Sequence, residues 1–351
     1  MATVSADRPS RPLIDRLSFF GVNPGVMLGF IFLLILLFVT TPVLHQPDKL
    51  LGALQNLSQQ VAINAIISVG MTFVIITAGI DLSVGSILGL VGTLTALTLT
   101  GPPIVAKFGN GAMVVATVVG LLAGSFIGFL NGAAVAWLKM QPFIVTLATM
   151  WAVRGAAEVL TNGSPVGIVS PDQPLAAARN ALISDKFSVL GMGYVKGIPI
   201  SAIIAIVVII LAHILLTKTV FGRHVFALGG NPEAARLSGV NINKISLLVY
   251  TISGGLAGLA AILMMSKLLS GQPTAGQGYE LYAIAAVVVG GTSLFGGIGS
   301  IMGTVIGALI IQVISMGLNL HDISSFWQQI VTGTIILVAV LLDEVLRRRR
   351  G

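Results

Sequence analysis

Seven uncharged polar residues recur at helical spacing within otherwise apolar stretches: Gln60, Asn64, Ser68 and Thr72 in one, and Gln312, Ser315 and Asn319 in another. Spacings of three and four place each set on one broad helix face. Amides and hydroxyls on a common face can replace the water contacts of a neutral, hydrogen-bonding solute without burying a charge. The competing role is interhelical hydrogen bonding within a bundle. Ionisable groups in the apolar stretches are few. Arg154 and Glu158, four apart, are placed to pair with each other. In Gly79-Ile80-Asp81-Leu82-Ser83-Val84, Gly79 can close one helix and Asp81 can cap the next.

No catalytic constellation accompanies these residues. The chain has no G-x-x-x-x-G-K-[ST] loop, no HExxH and no G-x-S-x-G, and His45, His213, His224 and His321 are scattered without metal-ligand spacing. No cofactor, metal site or enzyme activity is expected. Any work must be driven by another chain or by an ion gradient.

A second feature is the polar, basic segment Lys218 to Lys244, which carries the signals of its own short helix. Asn231 suits the N-cap and Pro232 the first helical position, where a missing N–H costs nothing. Glu233 sits on the positive end of the dipole, Ala234 to Ser238, with Ala235 among them, continue the helix, and Gly239 can take the left-handed conformation that ends it. About two turns are unstable alone in water. Such a helix is either held by neighbouring spans as a loop element or offered to a partner protein as a docking element.

The surrounding chain belongs in a lipid bilayer. Hydrophobic residues make up 55% and charged residues 9%, with a mean hydropathy of +1.00, against about a quarter charged in soluble domains. The 42 glycines suit closely packed helices better than a porin-like barrel. Candidate spans fall near 25–44, 57–79, 82–100, 112–138, 142–161, 198–217, 245–268, 279–293, 299–319 and 324–342, an all-α bundle of about ten transmembrane segments. Residues 1–24 read as a cytoplasmic tail, 25–346 as the membrane domain and 347–351 as a basic cytoplasmic tail.

A net charge of +7 in a soluble protein would suggest nucleic acid, but here position explains it. With both termini inside, twelve of the 19 Lys and Arg residues are cytoplasmic, six are external and Arg154 lies in a span, as the positive-inside rule requires. The 218–244 segment is then cytoplasmic, and the gap from Asn162 to Gly197 is external. Val69-Gly70-Met71-Thr72 recurs as Val289-Gly290-Gly291-Thr292, and Gly85-Ser86-Ile87-Leu88-Gly89 as Gly299-Ser300-Ile301-Met302-Gly303, the pattern of a parallel internal repeat or of chance in a Gly-rich chain. Gly120, Gly124, Gly128 and Gly132 form a smooth ridge, for packing inside the bundle rather than between copies.

Taken together, GIDLSVGS (79–86), TNGSPV (161–166), GR with ALGGN and AARLSG (222–239), and PTAGQGYEL with AIAAVVVGGTSL (273–294) resemble the ribose-type monosaccharide permeases of bacterial ATP-binding cassette importers. The resemblance covers about residue 56 to the C-terminus. It implies a ten-helix permease subunit of the bacterial inner membrane, paired with a second permease, expected to be a second copy of the same chain. A cytoplasmic ATPase would drive it, and a periplasmic sugar-binding protein would deliver a monosaccharide. The residues matching the family's ATPase-contacting loop are Gly230, Asn231, Glu233, Ala234, Ala235 and Gly239. The pattern departs at Tyr282, where similar members carry Asp, which bears on sugar identity. Two rivals stay open: a branched-chain amino acid permease of the same general kind, and an ion-coupled secondary transporter with a broken helix near 279–293.

Overall fold

The structure, a computed structural model, describes residues 24–101, 104, 107–168 and 185–348. The N-terminal tail and the last residues of the basic C-terminal tail lie outside the described residues, as do residues 169–184 of the 162–197 gap. The helices are α1 (Pro24–Thr40), α2 (Pro47–Ile76), α3 (Val84–Thr100), α4 (Ala112–Trp137), α5 (Pro142–Thr161), α6 (Ile200–Lys218), α7 (Val220–Gly230), α8 (Pro232–Leu237), α9 (Ile242–Leu268), α10 (Tyr279–Val289), α11 (Ile301–Leu320) and α12 (Ser325–Arg348), with a short helix over 185–192. Among the described residues six helices are long and apolar enough to cross a membrane: α2, α4, α5, α6, α9 and α11. Shorter apolar helices cover Pro24–Thr40, Val84–Thr100, Tyr279–Val289 and Ser325–Val338. The protein is therefore an all-α, multi-pass membrane bundle.

Burial sorts the helices by position. In α2, 89% of the most apolar stretch is buried, so this helix is the core; in α5 and α6 only 22% is, so they form the periphery. Around α2 pack α6, α9, α10 and α11, while α9 also packs along α3 and α4. The glycine ridge of α4 is used inside the chain: Gly124 and Gly128 meet Gly254 and Gly258 of α9, and Gly132 meets Leu247. Two short antiparallel strand pairs, one of them a hairpin, close the end opposite α7 and α8. Strand β1 (Val166–Gly167) pairs antiparallel with β4 (Ser270–Gly271), and β2 (Tyr194–Val195) with β3 (Ile198–Pro199).

Three connections between helices run irregularly against the bundle. The first, 77–83, joins α2 to α3. Helix α2 ends in a paired-bond turn, Gly79 N–H to Val74 O at 3.0 Å and Ala78 N–H to Ile75 O at 2.8 Å. The left-handed residue is Ala78, at φ 61°, not Gly79. Gly79 is needed for space instead, since a Cβ there would sit 2.5 Å from the Tyr250 hydroxyl oxygen. The second segment, 271–278, descends along the small-residue face of α3: Gly271 abuts Gly92, Thr93 and Ala96, and Gly276 abuts Gly85 and Leu88. Only below it does α10 begin, which is why that helix has 11 residues. The third, 290–300, turns from α10 into α11.

Of the repeated strings, Val69–Thr72 lies within continuous α2 and Val289–Thr292 at the end of α10; Gly85–Gly89 and Gly299–Gly303 both mark the start of a helix. Adding bulk to the α4 ridge tests the packing. Gly128→Val would drive its Cβ into the Tyr250 carbonyl, and overpacking of this kind costs about 1–3 kcal/mol. Thermal unfolding in detergent should show a lower midpoint than the parent, whereas Gly52→Ala, with open space around it in α2, should not lower it. An unaltered midpoint for Gly128→Val would contradict the close helix contact.

Candidate functional site

The 218–244 segment folds as two helices, not one. Sequence reasoning located α8 and missed α7, whose signal is Thr219 followed by buried Gly222, Val225 and Leu228 at spacings of three. Thr219 Oγ1 accepts from Gly222 N–H at 3.3 Å. A Cβ on Gly222 would overlap the Leu216 carbonyl, so α7 folds back tightly on α6. Helix α8 forms as its residues dictate: Asn231 Oδ1 accepts from Ala234 N–H at 3.0 Å. At its end Val240 N–H reaches Ala235 O and Gly239 N–H reaches Arg236 O, each at 3.0 Å, with Gly239 at φ 84°. Glu233 pairs with Arg236 at 2.6 Å on the surface, a contact worth little to stability. Gly230, Asn231, Glu233, Ala234 and Gly239 are exposed, Ala235 alone of the six is buried, and Leu237 is 76% exposed. The result is a rigidly capped, projecting tip with one anchored face.

The end of α7 connects this tip to the core. A Cβ on Gly229 would overlap the Ile76 carbonyl and lie 2.6 Å from Gly297 N. That same Ile76 carbonyl accepts from Gly297 N–H at 2.9 Å. Gly296 and Gly297, at φ 84° and 74°, pack against Gly229 and Gly230. Backbone from α7, the end of α2 and the 290–300 connection thus meets with no side chain between.

The seven polar residues divide into two groups. Asn64, Ser68 and Thr72 are fully buried on α2. Ser68 Oγ donates to Asn64 Oδ1 at 3.3 Å, and Thr72 Oγ1 donates to Ser68 O at 2.7 Å while lying 2.7 Å from Thr304 Oγ1 of α11. The Asn64 amide nitrogen has no partner. Gln60, half-buried, donates to Asn56 Oδ1 at 3.3 Å. On α11, Gln312 is buried, whereas Ser315 donates to Gln328 Oε1 at 3.0 Å and Asn319 accepts from Gln328 Nε2 at 2.6 Å. Since α2 and α11 are antiparallel and meet at Thr72 and Thr304, Gln312 falls at the level of Asn64, eight residues along each helix.

Two ionisable residues take roles that spacing alone did not reveal. Arg154 does not pair with Glu158. Its Nη1 donates to Pro273 O and Ala275 O at 2.6 and 2.7 Å, and its Nη2 to Gly85 O at 3.1 Å. The Pro273 and Ala275 carbonyls belong to the irregular 271–278 segment, where no helix ladder serves them, and the Gly85 carbonyl lies in the first turn of α3. Asp81 is fully buried and binds ahead of α3 rather than at its cap position: Oδ1 accepts from Ser83 N–H at 3.0 Å and Ser83 Oγ at 2.6 Å, and Oδ2 from Ser253 Oγ of α9 at 2.9 Å. Asn131 of α4 donates to Ser83 Oγ at 2.9 Å and accepts from Thr149 Oγ1 of α5 at 2.7 Å. One turn is thereby tied to three helices.

A multi-pass bundle with polar broken-helix joints and a projecting helical tip is the architecture of a membrane permease. The family described as branched-chain amino acid transport system / permease component matches residues 53–340, and the chain belongs to it. Similar curated proteins are the ribose import permease protein of Haemophilus influenzae, 45% identical over 92% of this chain and 94% of that one, and that of Bacillus subtilis, 43% identical over 93% and 95%. The xylose transport system permease protein of Escherichia coli strain K12 is 37% identical over 84% of this chain and 85% of its own. No solved structure matches.

The Gly229 junction gives a direct test. Gly229→Ala places a methyl group on the Ile76 carbonyl, a clash of about 1–3 kcal/mol that the backbone must relieve by moving. The variant should insert and purify as the parent does, and its transport in membrane vesicles should be largely lost. Full transport by Gly229→Ala would show that the contact transmits nothing.

Proposed function

We propose that this chain is the permease subunit of an ATP-binding cassette importer that carries a monosaccharide of the ribose or xylose kind across the bacterial inner membrane. The observation that carries the reading is the capped α7–α8 tip, exposed at its end and joined by bare backbone to α2 and to the 290–300 connection. It is an arrangement suited to receiving force from a separate ATPase. The names of the similar permeases favour a pentose over a branched-chain amino acid, although the family description mentions the latter. The charged groups at the helix breaks, Asp81 and Arg154, bond hydroxyls and backbone groups rather than one another, which argues against an ion-coupled relay.

In this reading the six longer and four shorter apolar helices make ten spans, with both termini and the α7–α8 tip cytoplasmic. The two helix starts at Gly85 and Gly299 are the remnant of a parallel duplication. Two copies of the chain form the path, a cytoplasmic ATPase docks on Gly230, Asn231, Glu233, Ala234, Ala235 and Gly239, and a periplasmic sugar-binding protein delivers the cargo. The uncharged line Gln60–Asn64–Ser68–Thr72, with Gln312, Ser315 and Asn319, borders the path. The unpaired Asn64 amide becomes available to a sugar hydroxyl when α2 and α11 separate.

Reconstitution in liposomes tests the assignment. The chain alone should move no ribose or xylose under a proton or sodium gradient, and adding the ATPase, the binding protein and ATP should give one-way uptake. Gradient-driven uptake by the lone chain would overturn the reading, and leucine uptake without sugar uptake by the full complex would overturn the cargo. Orientation is read separately with Ser238→Cys, which should react with an impermeant maleimide only after the cells are permeabilised.

A further inference from the structure

One face of the bundle combines charge, aromatic surface and openness at membrane depth. On α5, Trp151, Arg154 and Glu158 are three and four residues apart and share a side of the helix. Trp151 is 70% exposed, Glu158 exposed and Arg154 half-buried. A Cβ on Gly155, between them, would meet nothing within 4 Å. The start of α10 adjoins this face. A Cβ on Gly85 would collide with the Glu280 carboxylate, and the Gly85 carbonyl accepts from Arg154, so both charged groups converge on one peptide. Tyr282, half-buried, meets Tyr279 edge to face with ring centres 5.9 Å apart.

Depth makes this arrangement costly against lipid. At 1.5 Å per residue, Arg154 lies about 18 Å along α5 from Pro142 and Trp151 about 13 Å. Both are well inside a hydrocarbon layer about 30 Å thick. Tryptophan that faces lipid gathers at the interfaces, and charged groups at this depth face protein or water. Neither Glu158 nor Glu280 comes within salt-bridge distance of Arg154, so these intramembrane charges are not locked into a contact pair. Arg154 spends three N–H groups on backbone carbonyls, of the five it has. Glu280 stands in the first turn of α10, against Gly85, and an ionised carboxylate offers about four acceptor positions.

Spare acceptors on two carboxylates, spare donors on a guanidinium, and aromatic rings form a surface chemistry suited to a polyol. Hydroxyls donate to the carboxylates and accept from the guanidinium, while a C–H face lies on a ring. We propose that Trp151, Arg154, Glu158, Glu280 and Tyr282 form a monosaccharide-contacting surface of the translocation path, facing water between this chain and a second permease copy. The proposal rests on the importer reading above and adds residues to it. Helix α10 links this surface to the α2–α11 polar line, because Ala286 packs with Ala65 and Ala308.

The chain has no cysteine, so Trp151→Cys and Tyr282→Cys can be probed singly in the assembled complex in membrane vesicles. A charged, water-soluble methanethiosulfonate should modify both, and D-ribose with the binding protein should slow the reaction. Glu280→Gln should lower ribose uptake at least about tenfold, the scale of losing a hydrogen bond to a charged group, with ATP turnover retained. Reaction only with a lipid-soluble maleimide, absence of ribose protection, or unchanged uptake in Glu280→Gln would each overturn the proposal. Ribose uptake by the unmodified complex is measured in parallel, so failure of the importer reading appears there before any variant is compared.

Discussion

Every backbone N–H and C=O that leaves a helix inside a membrane must find a partner within the protein, because acyl chains offer none. This bundle joins its helices irregularly at three places, 77–83, 271–278 and 290–300, and the charged side chains of Asp81 and Arg154 hold two of them. Arg154 supplies donors to the carbonyls of Pro273, Ala275 and Gly85. Asp81 supplies acceptors to Ser83 and Ser253. The 290–300 segment reaches the end of α2 through Gly297 and Ile76. A buried charge held by hydrogen bonds on several helices is expensive to disturb, so each break has a defined position.

Glycine makes the same joints possible from the steric side. Gly229 at Ile76, Gly276 at Gly85, and Gly290 at Gly303 are backbone-to-backbone contacts that a single methyl group would open. Force applied at the exposed α7–α8 tip therefore has a short, incompressible route to the end of α2. In the proposed importer that route ends at the polar line of α2 and α11 on one side of α10 and at the charged, aromatic face of α5 on the other. In that reading the α4–α9 ridge would hold the frame and the joints around α10 would carry the movement.

Local chemistry was legible in the sequence wherever it was decided within one turn. Asn231, Pro232 and Gly239 specify the start and stop of α8, and hydropathy placed α5 at its observed boundaries. Contacts distant in sequence were not legible. Arg154 is four residues from Glu158, yet its partners are 119 and 121 residues away on a segment that reads as an external loop. The left-handed residue after α2 is Ala78 rather than Gly79, and Gly79 instead leaves room for Tyr250 across the bundle, a constraint no local signal carries. Helix α7 was overlooked because its polar residues resemble a loop, and only the Val225 and Leu228 spacing distinguishes it.

The claim on which this account depends is that the docking tip and the helix breaks move as one unit. Hydrogen–deuterium exchange of the assembled complex, with and without ATP, measures it. Amides of α7 and α8, of 290–300 and of 77–83 should change protection together, while α4 and α9 stay constant. A change at α7 and α8 that leaves 77–83 and 290–300 untouched would contradict the account.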